Sequence, residues 1–192
     1  FTLPTIASNC AACTSVSIMY NDDGTFLKPN FFVRPAMHAF IDTEIIAKAP
    51  VQYMWAGIGD TYAKYYEATI SSRDERLEHF TSLGVALSVM CRDPLLEYGV
   101  KALADHEQGL CTYDVEQVVL AIVVTTGIAS IFLTKDFTPD YNSGLAHAIF
   151  YALTSYPVIE EKHLHGEVVG FGVLFALLVD GQYDEFEKIY TL

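Results

Sequence analysis

The spacing of apolar positions changes near residue 42. Before it, apolar residues fall in short extended stretches: Ser15 to Tyr20 (SVSIMY) is β-rich, Asn21 to Gly24 (NDDG) is a turn signal, and Phe31 to Arg34 and His38 to Asp42 resume short strands. Two or three strands make no stable sheet alone, so these are expected to finish a sheet whose other strands lie outside this sequence. From Asp42 and Thr43 onward the period becomes helical. Either residue is placed to cap a short helix through Ala47, and Pro50 to open the next. Segments at 60–71, 73–92, 94–109, 114–133, 143–155 and 166–180 then carry apolar residues at three- and four-residue intervals. The expected fold is mainly α: a few strands over 1–42, then a multi-helical unit over 43–192.

Composition narrows the class. With 52% hydrophobic and 18% charged residues the chain is globular rather than disordered. The apolar run from Val115 to Leu133 is interrupted by Glu116, Gln117, Thr125, Thr126 and Ser130, so a buried core helix is expected there and no membrane partner. A net charge of −13, with 11 scattered Lys and Arg, excludes a nucleic-acid partner, because phosphate neutralisation needs clustered cations. The cysteines at 10, 13, 91 and 111 form no disulfide framework and no signal-peptide pattern opens the chain, which reads as a reducing, cytoplasmic setting. The sequence starts at Phe1 inside a strand-like stretch and stops in a helix-like one, so it reads as a piece of a longer protein.

Three residues carry candidate chemistry. Asp60 follows Gly-Ile-Gly, His147 lies early in an otherwise apolar segment, and His165 precedes Gly166. A lone histidine on an apolar face is usually a satisfied core residue, but a carboxylate with two imidazoles suits zinc or ferrous iron and leaves a coordination position open. The 18-residue step between the histidines is not a compact motif, and His163 is an alternative ligand. His38, His79 and His106 read as surface residues. Cys10-Ala-Ala-Cys13 reads as a redox pair, half a zinc site, or two small side chains packed in a tight loop.

The stretches PTIASNCAACTSVSIMY, AGIGDTYAKYYEA and SGLAHAIFYALT…HLHGEVVGFG, in this order across almost the whole chain, resemble the iron-containing alcohol dehydrogenase superfamily in its glycerol dehydrogenase branch. The resemblance implies a helical metal-binding domain of the dehydroquinate synthase-like type, preceded by the last strands of an α/β dinucleotide-binding domain and lacking its final helices. It places Asp60, His147 and His165 on the metal ligands. Lys64 stands where iron-dependent members carry a fourth ligand, a histidine, so a three-ligand Zn2+ site is implied, with Fe2+ the alternative. Thr5, Ser8, Thr14, Val16 and Tyr20 fall on a cofactor-contacting segment for NAD or NADP. Cys10 takes the place of a polyol-binding aspartate and so belongs to the substrate pocket.

A related subgroup, the hydroxycarboxylate dehydrogenase-like proteins, is similar too, and there Lys64 would meet the carboxylate of a 2-oxo acid; the alternative is an intrahelical pair with Asp60. Phe150 departs from the family, which carries a histidine there, and Tyr151 replaces the usual asparagine. The implied function is metal-dependent, NAD(P)-linked hydride transfer on a small 2-hydroxy or 2-oxo acid, with a glycerol or polyol dehydrogenase and a catalytically impaired structural protein as alternatives. A homo-oligomer is expected by analogy.

Overall fold

The computed structural model describes residues 1–22, 26–134 and 141–192. β1 (Val16–Tyr20) pairs antiparallel with β2 (Phe26–Phe31), from Val16 opposite Phe31 to Tyr20 opposite Phe26, with an irregularity between Met19 and Tyr20. Of the expected turn, Asp23 and Gly24 lie outside the described residues. The second strand runs earlier than Phe31 to Arg34, because a short connection sets Phe26 against Tyr20 and the ladder is used up at Phe31. The stretch from His38 to Asp42 forms only a bridge between Ala39 and Thr2.

Helices follow without further strands among the described residues. α1 (Thr43–Ile46) is capped by Asp42, whose carboxylate accepts from the Glu44 and Ile45 amides. α2 (Val51–Ser71) runs unbroken through the Gly-Ile-Gly step, with Pro50 just before its first turn. The segment expected over 73–92 starts later, since Asp74 takes a left-handed φ of 62°. It forms α3 (His79–Ser88) and a 3₁₀ turn to Cys91, followed by α4 (Asp93–Glu107). α5 (Tyr113–Leu120), a π-helical stretch over Ala121–Thr125 and α6 (Thr126–Phe132) form one continuous run. The Thr126 hydroxyl donates to the Ala121 carbonyl within that wider turn. Then come α7 (Leu145–Leu153), α8 (Pro157–Lys162), α9 (His165–Val179) and α10 (Tyr183–Tyr190).

α2 is the axis of the bundle. Its Met54, Ile58, Tyr62 and Tyr66 recur every four residues and are fully buried, packed with Leu95, Val115, Val118, Ile122, Val169 and Val173. The run from Tyr113 to Phe132 is long and apolar enough to cross a membrane, yet Val115, Val118, Val119, Ile122 and Val123 are wholly covered by the bundle. α10 is tied to the axis through Glu185, which accepts from Tyr66 at 2.6 Å and pairs with Arg92 at 2.8 Å. His106 corrects the surface reading: it is 3% exposed, and its Nε2–H donates to the Ile46 carbonyl at the end of α1. His38 and His79 are exposed.

Candidate metal centre

Three close backbone contacts assemble the centre, and each lies beside one of its residues in sequence. A Cβ on Gly166 would stand 1.8 Å from the Ala56 carbonyl oxygen, and one on Gly59 would stand 2.3 Å from the Gly166 carbonyl oxygen. Only glycine lets α2 and α9 cross this closely, and the crossing turns Asp60 and His165 toward each other. Likewise a Cβ on Gly172 would stand 2.6 Å from the Ala146 carbonyl oxygen, which seats α7 on α9 and delivers His147. Asp60 Oδ1 lies 3.4 Å from His165 Nε2 and 3.8 Å from His147 Nε2. The three donor atoms lie within 4.8 Å of one another.

Glu67, two helical turns after Asp60 on α2, is 3% exposed and completes the arrangement. Its Oε1 accepts the His147 backbone N–H at 2.9 Å and its Oε2 accepts Nδ1–H at 2.6 Å. In neutral His147 the lone pair is therefore on Nε2, aimed at Asp60. Burial raises the Glu67 pKa, but the hydrogen bonds and charge of His147 outweigh it and leave the carboxyl below its ordinary value.

Asp60 behaves alike: burial opposes ionisation, while the hydrogen bond and charge of His165, with the charges of His147 and Lys64, bring its pKa down to about 2. Burial disfavours the His165 cation, yet Asp60 and then Glu67 hold its pKa above the ordinary value. An ionised carboxylate and two imidazoles this close fit a divalent ion. Bond lengths of ~2.0–2.1 Å in a tetrahedral zinc site put neighbouring ligand atoms about 3.3 Å apart, and a His ligand whose other nitrogen donates to a carboxylate is the usual supporting arrangement.

The other predicted residues are distributed around this centre. Lys64 is 7% exposed, and its ammonium donates to the backbone carbonyl of Asn142 at 3.2 Å and to the Asn142 side-chain oxygen. Asn142 in turn donates to Thr134 at 3.0 Å. The Cys10 thiol is pushed up to about 11 by burial and by the charge of Asp60, against the opposing charge of Lys64 and a hydrogen bond with Ser130. It therefore stays protonated at neutral pH within the field of Asp60 and Lys64. Burial also raises Cys13, so neither thiol has the thiolate character of a redox pair.

Thr5, Ser8, Thr14 and Val16 follow one another along the first loop and into β1, which Tyr20 closes. That loop is docked where the Ala7 carbonyl oxygen approaches Gly57 of α2. His163 is exposed and bonds to Glu167 at 3.0 Å. Phe150 lies with its ring 4.3 Å from that of His165.

Comparison with known proteins bears on this geometry. The chain is 38% identical over 183 residues to hydroxycarboxylate dehydrogenase A of Escherichia coli, covering 95% of this chain and 49% of that protein. It is 36% identical over 200 residues to glycerol dehydrogenase of Thermotoga maritima, covering 98% and 51%. The crystal structure of a probable glycerol dehydrogenase from Sinorhizobium meliloti 1021 superposes with a TM-score of 0.80 at 28% identity, over 97% of this chain and 52% of that one. The chain belongs to the iron-containing alcohol dehydrogenase family. It spans about half the length of the curated relatives it matches. No family model matches the sequence. The mainly helical fold, with two strands among the described residues, is that of these family members.

Proposed function

We propose that this chain supplies the metal and substrate site of an NAD(P)-linked oxidoreductase that moves a hydride between nicotinamide and a small 2-hydroxy or 2-oxo acid. The convergence of Asp60, His147 and His165, beside a buried Lys64 whose hydrogen-bond partners among the described residues are the neutral oxygens of Asn142, carries the reading. Asp60, His147 and His165 would hold Zn2+ or Fe2+, and the loop bearing Thr5, Ser8, Thr14, Val16 and Tyr20 would face NAD or NADP. Residues 1–42 belong on this reading to the dinucleotide-binding part and 43–192 to the helical part. When bound, the ion supplies Lewis acidity toward the substrate oxygen, and the nicotinamide gives or takes the hydride.

The chain's own residues divide the remaining work. Asp60 stays ionised across the neutral range, and Glu67 keeps the His147 Nε2 lone pair turned inward. Lys64 offers a cation to a substrate carboxylate one helical turn beyond Asp60. Cys10, a protonated thiol, offers no strong acceptor to the hydroxyl groups of a polyol. The relative named hydroxycarboxylate dehydrogenase A agrees with this choice, while those named glycerol dehydrogenase favour a polyol as the second reading. Four free thiols accord with the cytoplasm, and assembly into a homo-oligomer is expected by analogy.

The test is NADH or NADPH oxidation by the full-length protein, with 2-oxoglutarate or 2-oxobutyrate beside dihydroxyacetone, with and without added zinc. A zinc-dependent rate that prefers the oxo acids, and loses the preference in Lys64→Met, is the expected result. Preference for dihydroxyacetone returns the site to polyols, and the absence of any rate moves the chain to a structural role.

A further inference from the structure

The two imidazoles of the centre are held in different ways. His147 is locked by two hydrogen bonds to Glu67 and is largely buried. His165 has a side chain 46% exposed, and among the described residues Asp60 is its polar partner. A half-exposed histidine at the first turn of a helix keeps freedom about its side-chain torsions unless something blocks the swing. Phe150 stands in that path: its ring meets that of His165 edge to face, centroids 4.3 Å apart and planes at 72°. Phe150 is itself backed by the core and by Tyr151, whose ring lies 5.3 Å away at 64°. Phe150 follows His147 by three residues on α7, so one helix face carries both a ligand and the ring that touches the other ligand.

We propose that Phe150 is a positioning residue: its ring holds the His165 imidazole in the orientation that points Nε2 at Asp60, doing by contact what Glu67 does for His147 by hydrogen bonding. The proposal rests on the metal-site reading above. It gives the departure at position 150 a purpose within the centre, where the resemblance alone suggested impairment.

The experiment measures Zn2+ and Co2+ binding to the full chain by chelator competition, and the Co2+ absorption bands, in the wild type, Phe150→Leu, Phe150→Tyr and His147→Ala. Phe150→Leu keeps an apolar side chain of similar bulk but removes the ring. It is expected to weaken binding roughly three- to tenfold, the equilibrium worth of one such aromatic contact, and to shift the Co2+ bands. Phe150→Tyr is expected to restore both. Binding by Phe150→Leu within twofold of wild type, or equal losses in the Leu and Tyr variants, overturns the brace. His147→Ala separates the two readings: if it loses metal while Phe150→Leu does not, the brace alone falls, and if it binds like wild type, the metal site falls and the brace with it.

Discussion

The α2–α9 crossing and the β1–β2 hairpin show how unevenly this chain dictates its residues. At the crossing, Gly59 and Gly166 meet the opposite backbone with no room for a methyl group, and Asp60 and His165 are set by that contact. Along the hairpin Ile18, Met19 and Leu27 are exposed, and Val33 just beyond it is 96% exposed. The first region has one solution because its neighbours are rigid backbone; the second presents apolar side chains that no described residue covers, on strands expected to continue a sheet outside this sequence. The sharpest way to break the contrast is Gly166→Ala, whose methyl group would lie against the Ala56 carbonyl. It is expected to cost about 3 kcal/mol, at the upper end for overpacking, since neither helix can yield without moving Asp60 or His165. Urea unfolding measures it, and a loss below 1 kcal/mol would mean the helices part easily and the crossing does not set the site.

The same contrast explains what could be read from the chain. Asp60, His147 and His165 stood out by residue type in apolar surroundings, but the 18-residue step between the histidines says nothing of distance, because that depends on how α7 packs on α9. The helical segment expected over 60–71 is the second half of α2, which starts at Val51, and Gly57 and Gly59 serve close approach inside that one helix, the first to the Ala7 carbonyl and the second to Gly166. His106 seemed a surface residue between Asp105 and Glu107, yet Leu95, Gly99 and Ala102 precede it at helical intervals and form the buried stripe of α4 that includes it. Glu67 left a similar signal: a carboxylate seven residues after Asp60, on the same face of an apolar helix. The register of β2 was not legible, since strand pairing is settled across the connection rather than within the strand.

Glu67 also supplies the second prediction, which tests whether the crossing alone makes the site. Each of its oxygens accepts one hydrogen bond from His147. In Glu67→Gln one oxygen becomes an amide donor. Either the backbone N–H loses its acceptor, or Nδ1 accepts from the amide and the ring proton moves to Nε2, where it blocks the lone pair. Metal affinity is expected to fall roughly 10- to 100-fold, as for other outer-shell partners of histidine ligands, with little change in helix content. Chelator competition with zinc reads the affinity, and nitrogen NMR of the imidazole reads the tautomer. An unchanged affinity would show that helix packing is sufficient to orient His147.

At the opposite extreme, Val33→Ser in the 192-residue chain should change stability by less than about 0.5 kcal/mol, the usual range for positions away from caps, networks and cores. The residue lies past the last pair of the ladder, Val16 with Phe31, and no described residue covers its side chain, so within this chain its removal takes no buried apolar area with it. Urea unfolding of the full chain gives the number. A cost above 1 kcal/mol would require that side chain to be covered in solution, and the hairpin would then join the crossing as a region dictated by its neighbours rather than stand against it.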